Sequence, residues 1–137
     1  MQKIVLDTNV LVSAGIKKNS IPYKLVMDYA LRGHVQIMTC RSVLAEYRNV
    51  LGRSKFADYD FPPKWLERLI QISQQLPEPP RWPHPLPDPT DAPFLALAHA
   101  SGAWLVTGNL KHFPEPSRGG VHVLSPDRYL ARLLGED

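Results

Sequence analysis

Cysteine is almost absent from this chain of 137 residues, in which Cys40 is the only one. A single cysteine excludes an intramolecular disulfide and a cysteine-based metal cluster, and it fits a reducing compartment. A catalytic thiol would need an adjacent histidine, which the sequence around Cys40 does not offer. We therefore interpret Cys40 as a small buried hydrophobic residue.

Long hydrophobic runs are also absent, since no stretch approaches the ~20 apolar residues that a membrane span requires. Met1 leads directly into a short strand-like run, without the apolar segment and cleavage site of a secretory signal. The hydrophobic fraction is 44% and the charged fraction 21%, both ordinary for a globular protein. We expect one cytoplasmic domain over residues 1–137, with no membrane association.

The chain has no dense basic run, although its net charge is +3 and its pI is about 9.1. This balance is mildly favourable for a polyanionic partner such as a nucleic acid. Many proteins with the same balance bind none, so charge alone does not assign a function.

Short apolar runs alternate with segments of helical periodicity along most of the chain. The runs at 3–6, 35–39, 103–107 and 121–124 predict strands, and the segments at 22–32, 42–51, 63–76, 92–101 and 126–134 predict helices. Ser42 is the expected cap of the second of these helices. Alternation of this kind predicts an α/β fold with three α/β/α layers and a central parallel sheet of four or five short strands.

Proline is concentrated in residues 77–93, where it occupies eight of seventeen positions. Such a density excludes a central strand or a helix interior and predicts an extended, stiff connection. A linker between domains is disfavoured, because too few residues follow it to build a second core.

Three carboxylates stand at the edges of predicted elements. Asp7 follows the first strand, Glu46 borders an apolar helix stripe, and Asp91 shares the inward face of its helix. Each has a purely structural explanation: Asp7 and Asp91 as helix caps, Glu46 as a boundary charge. Together, at the carboxyl edge of a parallel sheet, they would repel one another unless a proton or a cation compensates them. Such oxygen ligands suit Mg²⁺ or Mn²⁺.

Four motifs in order along the chain resemble those of PIN-domain nucleases: LDTNVLVS at 6–13, LAEY at 44–47, DPTDAPFLALA at 88–98 and LVTGN at 105–109. The closing LSP at 124–126 is similar to the subgroup of VapC-like toxins of toxin–antitoxin systems. The resemblance covers almost the whole chain.

The resemblance implies that Asp7, Glu46 and Asp91 bind Mg²⁺ or Mn²⁺ and are catalytic. It further implies that nearby polar side chains orient these ligands: Thr8, Asn9, Ser13 and Thr107. The family's fourth acidic position falls here on Asn109 or His112, so this sequence departs from the pattern. Asn109 can offer a carbonyl oxygen but no charge, and Asp88 is an auxiliary candidate ligand.

The expected reaction is hydrolysis of an RNA phosphodiester by water that the cation activates. Candidate RNA contacts are basic residues near the proposed site elements: Lys17, Lys18, Arg41, Arg48, Lys111, His112 and Arg118. The resemblance also implies an antitoxin partner and a homodimer, for which the helices at 22–32 and 63–76 are plausible surfaces. Trp65 and Trp104 are expected in the core or an interface.

Two alternatives are disfavoured by a missing residue or motif, and a third stays open. A phosphatase of the haloacid-dehalogenase type needs a second acid where Asn9 stands, and a dinucleotide-binding fold needs a Gly-x-Gly-x-x-Gly that does not follow the first strand. The third is a degenerate PIN domain, which binds RNA or a protein without cleavage because Asn109 leaves the acidic set incomplete.

Overall fold

The computed structural model describes residues 1–135, and these form one α/β unit. Its strands are β1 (Lys3–Leu6), β2 (Gln36–Thr39), β3 (Gln74–Gln75), β4 (Trp104–Val106) and β5 (Val123–Leu124). Its α-helices are α1 (Thr8–Ile16), α2 (Ile21–Lys24), α3 (Arg41–Leu51), α4 (Trp65–Ile72), α5 (Ala92–Ser101) and α6 (Pro126–Leu133).

The five strands form one parallel sheet in the order β3-β2-β1-β4-β5. Consecutive residues Ile4, Val5 and Leu6 are each at most 1% exposed, so both faces of the central strand are covered. Apolar strands of this kind are typical of parallel sheets between helices. The predicted α/β class with a central parallel sheet is confirmed.

Helix α5 is apolar on nearly every side because it is enclosed. Residues 94–98 are all buried, and the helix contacts β1, β2 and β4. Its end follows the expected rule, since Gly102 takes the left-handed conformation with φ of 71° and its amide donates to the carbonyl groups of the last turn. This helix therefore supports the sheet centre and carries Asp91 at its start.

The helix predicted at 22–32 is shorter and less regular than its periodicity suggested. Helix α2 ends at Lys24 and continues as a π-helical segment, Leu25–Ala30, whose last bond runs from the Leu31 amide to the Val26 carbonyl. Ser20 caps α2 by accepting from the Tyr23 amide.

The helix predicted at 63–76 ends at Ile72, and Gln74–Gln75 pair with β2 as an exposed edge strand. Two glutamines carry no apolar or β-branched signal, which is why periodicity missed this strand.

Ser42 is not the cap of α3, and the prediction that it is was wrong. The helix begins at Arg41 with Cys40 in the cap position, and the Glu78 carboxylate supplies the missing acceptor. Glu78 Oε2 accepts from the Ser42 amide at 3.0 Å, and Glu78 Oε1 accepts from the Ser42 hydroxyl. An acid 36 residues away thus replaces the local cap.

The proline-rich segment 77–93 is extended as predicted, except where Pro89–Asp91 form a 3₁₀ turn and Pro93 sits in the first turn of α5. Besides the Glu78 bonds to Ser42, the segment is held at Ser117: Trp82 Nε1 donates to the Ser117 carbonyl, and the Ser117 hydroxyl donates to the Pro85 carbonyl. None of the helices in residues 1–135 is long and apolar enough to cross a membrane.

Candidate metal centre

The candidate centre lies at the carboxyl edge of the sheet, where β1 and β4 end side by side. Leu6 pairs with Val106, so the next residues, Asp7 and Thr107, are neighbours in space although 100 positions apart. Both are buried, with Asp7 only 5% exposed. The topology alone therefore brings these two polar side chains together at the point where parallel sheets bind ligands.

A compact hydrogen-bond network orients Asp7. The Thr107 hydroxyl donates to Asp7 Oδ2 at 2.8 Å, and Asn9 Nδ2 donates to the same oxygen at 3.3 Å. Asn9 Oδ1 accepts from the Gly108 amide at 2.9 Å, and Thr107 Oγ1 accepts from the Asn109 amide at 3.0 Å. Asn9 and Thr107 thus hold the two strand ends and the Asp7 carboxylate in one arrangement.

A second group of side chains surrounds the start of α5. Single ligand atoms of Asp88, Asp91 and His112 lie within 4.8 Å of one another. Asp91 Oδ2 is 2.9 Å from His112 Nδ1, yet this buried oxygen receives no well-formed hydrogen bond from residues 1–135. Asp88 Oδ1 accepts from the Thr90 amide and hydroxyl. Asp91 is consequently a half-buried acid with one buried oxygen that lacks full compensation.

Electrostatics links the acidic residues of the centre. Burial raises the pKa of Asp91 to about 6, with the Asp7 charge adding to the effect and His112 opposing it. Burial also raises the pKa of Asp7, whereas the Thr107 hydroxyl lowers it and the Glu46 charge raises it further. The pKa of Asp88 is lowered by its two bonds from Thr90. The Glu46 charge therefore acts on Asp7, and the Asp7 charge acts on Asp91.

These groups satisfy the requirements of a divalent cation. Buried carboxylates that disfavour each other's charge need either protons or a cation, and Mg²⁺ and Mn²⁺ take carboxylate oxygens. The incompletely bonded Asp91 Oδ2 offers a free lone pair, and an imidazole nitrogen from His112 is a ligand that Mn²⁺ accepts more readily than Mg²⁺ does. The donor set present thus fits such an ion.

The other predicted site residues differ in burial and in whether they lie at the candidate centre. Thr8 is buried with a hydroxyl oxygen that has no partner within residues 1–135, and Asn109 is half-buried. Ser13 is exposed on α1, and no contact connects its side chain to the Asp7 network in the described chain. Of the two fourth-position candidates, His112 lies beside Asp91 and Asp88.

Asp91 occupies the cap position of α5 but its side chain makes no capping hydrogen bond. A structural cap therefore does not account for this residue. Its carboxylate is directed instead to His112.

Most of the basic residues predicted to contact RNA are exposed: Lys17, Lys18, Arg41, Arg48 and Lys111. Arg48 pairs with Glu67 at 3.6 Å. Arg118 differs, because Nε donates to the Phe113 carbonyl and its guanidinium also pairs with Glu115. Arg118 thus stabilises the turn after β4 within the chain itself.

Sequence reasoning missed the hydrogen bond of one buried residue beside the candidate centre. Tyr47 was placed in the apolar stripe of α3, but its hydroxyl donates to the Leu6 carbonyl at 2.6 Å, directly before Asp7. Burial and the Asp7 charge keep the pKa of this phenol far above its ordinary value, so it remains a donor. The only local signal was a tyrosine within an apolar stripe, because a buried tyrosine hydroxyl usually has a hydrogen-bond partner.

The profile of the PIN-domain family matches residues 3–111 of this chain. A search among curated proteins found no match.

Three solved structures share the fold at low sequence identity. A chain of VapBC2 from Rickettsia felis, bound to a promoter DNA fragment, is 17% identical with a TM-score of 0.64, covering 90% of this chain and 98% of that one. PAE2754 from Pyrobaculum aerophilum is 18% identical with a TM-score of 0.57, covering 98% and 90%. A chain of FitAB bound to IR36 DNA is 18% identical with a TM-score of 0.58, covering 90% and 94%.

The profile match spans well over half of the chain, and the solved structures share its fold over most of their length. The chain belongs to the PIN-domain family.

Proposed function

We propose that this chain is a divalent-cation-dependent ribonuclease that hydrolyses RNA phosphodiester bonds. The observation that carries the proposal is the placement of two carboxylates at the carboxyl edge of the sheet: Asp7, buried after β1, and Asp91, at the start of α5, lie close enough that the Asp7 charge helps to raise the pKa of Asp91. Two such groups are costly to keep charged without a cation. Membership of the PIN-domain family supports a nuclease over other cation-dependent enzymes.

Asp7, Glu46 and Asp91 would hold Mg²⁺ or Mn²⁺, with His112 and Asp88 at the side of Asp91 and Asn109 nearby. The cation, when bound, supplies positive charge to the phosphate and acidifies an attacking water. Thr107 and Asn9 keep the Asp7 carboxylate oriented by their bonds to Oδ2. His112 places a nitrogen beside Asp91, where it offsets negative charge.

A toxin role with a cognate antitoxin is the biological setting we propose. VapBC2 and FitAB, whose chains share this fold, are both described as complexes bound to DNA. We also propose that the chain forms a homodimer in the cytoplasm and that its substrate is RNA. Exposed basic residues would contact the RNA phosphates: Lys17, Lys18, Arg41, Arg48 and Lys111.

The alternative is a PIN domain that binds RNA or a protein partner without cutting it. The specific observation in its favour is Asn109, which brings no charge to the position after Thr107. The position of His112 beside Asp91 weighs against it, because it supplies a ligand where the acid is missing.

Incubation of the purified chain with defined RNAs and tRNAs, with Mg²⁺ or Mn²⁺ against chelator, tests the enzyme proposal. We expect cation-dependent cleavage that Asp7→Asn abolishes while circular dichroism shows an intact fold. Asp28→Asn, at an exposed aspartate of the π-helical segment, is the matched control and should cleave normally. RNA binding without turnover by the unaltered chain would favour the alternative, and equal rates for the Asp7 variant would exclude the proposed site.

A further inference from the structure

Tyr47 is the largest fully buried side chain near the candidate centre, with 1% of its surface exposed. Its hydroxyl donates to the Leu6 carbonyl oxygen over 2.6 Å, across 41 residues of sequence. A buried hydroxyl and a buried carbonyl are both costly without a partner, so each one restricts where the other can lie.

The contacts of this one side chain join the elements next to Asp7, Glu46 and Asp91. Tyr47 follows Glu46 on α3, and Leu6, which accepts its hydrogen bond, is the last residue of β1 before Asp7. The Tyr47 ring lies 6.3 Å from the Phe94 ring, in the first turn of α5, three residues after Asp91. A shift of any one of these elements would therefore disturb a Tyr47 contact.

The contacts of Tyr47 matter because Asp7, Glu46 and Asp91 lie on or next to three elements that backbone hydrogen bonds do not join to one another. Backbone hydrogen bonds join β1 to β4 in the sheet, whereas the Tyr47 side chain links α3 to β1 through Leu6 and to α5 through Phe94. Ligand positions in a cation site have to hold within about half an ångström to be productive. The hydroxyl bond supplies a directional constraint that apolar packing of the same ring does not.

We infer that Tyr47 is a positioning residue, which sets the distances between Asp7, Glu46 and Asp91 through its bond to Leu6 and its contact with Phe94. The inference rests on the proposed function, because it assigns Tyr47 a purpose in cation binding. A tyrosine that only fills the core would not affect the centre on losing its hydroxyl. A positioning Tyr47 should change the arrangement of the three carboxylates when the hydroxyl alone is lost.

Tyr47→Phe removes the hydroxyl and keeps the ring, and Tyr129→Phe is its matched control. Tyr129 is equally buried, and its hydroxyl bonds to the Gln2 side chain at 2.9 Å, remote from the carboxyl edge. We expect the Mn²⁺ concentration for half-maximal binding, measured by calorimetry, to rise roughly tenfold in Tyr47→Phe, as for other residues that orient metal ligands. Tyr129→Phe should bind Mn²⁺ like the unaltered chain.

Cleavage kinetics give a further distinction. In Tyr47→Phe the rate at saturating Mn²⁺ should recover most of its value, because the ligands themselves remain and only their arrangement has loosened. A purely structural role predicts the same Mn²⁺ affinity in both variants, whatever happens to their thermal stability, and that result would overturn the inference.

Amide hydrogen exchange in chelator tests the positioning role without any cation. Tyr47→Phe should accelerate exchange at Asp7 and Thr8 relative to Tyr129→Phe, whereas equal protection would overturn the inference. If the unaltered chain binds no Mn²⁺, the proposed function fails, while the exchange result still decides whether Tyr47 orders this strand end. Should Tyr47→Phe not fold, Phe94→Leu keeps the hydroxyl and removes the ring contact, and it should speed exchange in the first turn of α5.

Discussion

Thr107 shows how one hydroxyl determines the state of a buried acid. It donates to Asp7 Oδ2 at 2.8 Å and accepts from the Asn109 amide at 3.0 Å, so it uses both its donor and an acceptor position. The donated bond lowers the Asp7 pKa against the larger effect of burial. Without it, Asp7 would take up a proton more readily and bind a cation less well.

Thr107→Val should therefore weaken Mn²⁺ binding by roughly ten- to a hundredfold, the usual range for residues that orient metal ligands. The variant keeps the shape of the side chain but leaves the Asn109 amide without its acceptor. Thr107→Ser, which retains the hydroxyl, is the control and should bind within a few-fold of the unaltered chain. Equal losses in both variants would contradict this role, because Thr107→Ser keeps the hydroxyl that should be sufficient.

Asp91 gives a pH dependence that can be worked out from its environment. Its folded-state pKa of about 6 lies above its ordinary value of 3.8, so the folded protein binds the proton more tightly than the unfolded chain does. In the absence of a cation, its contribution to stability is greatest below the ordinary value. That contribution falls as the pH rises through the folded-state pKa, and it stays low at higher pH.

Thermal melts in chelator at pH 4.5 and pH 7 check this sign. Asp91→Asn should raise the melting temperature relative to the unaltered chain at pH 7, and the difference should shrink at pH 4.5. Because every other titrating group is common to both proteins, the comparison isolates this carboxyl. A difference that grows as the pH falls would contradict the assigned direction.

At the scale of elements, α3 depends on an acid from outside the helix. Glu78, in the proline-rich segment, accepts from the Ser42 amide in the first turn and from the Ser42 hydroxyl. A carboxylate at this end also interacts favourably with the helix dipole. Because α3 carries Glu46, the proline-rich segment helps to fix the position of this candidate ligand.

Glu78→Ala should reduce the free energy of unfolding by about 1 kcal/mol, the typical cost of losing a helix cap. Urea denaturation measures it. Glu67→Ala is the comparison: it breaks an exposed pair with Arg48 at 3.6 Å and should cost less than about 1 kcal/mol, as surface ion pairs do. A Glu78 variant no less stable than the Glu67 variant would show that α3 finds another cap.

Across the whole molecule, cation binding and folding should be coupled, because the acids come from β1, α3 and α5 and meet only in the folded chain. A ligand that binds the folded state alone stabilises it by about 2.7 kcal/mol at a hundred times its dissociation constant. Cation binding at the centre should therefore increase the stability of the folded chain.

Mn²⁺ should accordingly raise the melting temperature by several degrees at pH 7 and less at pH 4.5, where Asp91, whose pKa is about 6, is largely protonated. Asp7→Asn should remove most of the shift. Differential scanning fluorimetry with Mn²⁺ and chelator is sufficient, with Asp28→Asn as the control that keeps the shift. A shift of the same size in the Asp7 variant would mean that Mn²⁺ stabilises the chain elsewhere.

The sequence by itself determined the types of most elements and the location of Asp7, because hydrophobic periodicity and turn residues act over a few positions. It also indicated that Asp7, Glu46 and Asp91 would share an edge, since parallel strands end on one side. Local patterns failed where local signals were weak, as at the polar edge strand Gln74–Gln75 and the π-helical segment Leu25–Ala30.

Only the tertiary structure decided which side chains meet. The approach of His112 to Asp91, the capping of α3 by Glu78 and the bond from Tyr47 to Leu6 join residues 21, 36 and 41 positions apart. Such contacts depend on how helices and loops settle on the sheet, which short-range spacing does not encode. For this reason the sequence left open whether Asn109 or His112 takes the family's fourth acidic position. The packing of the turn after β4 places His112 beside Asp91.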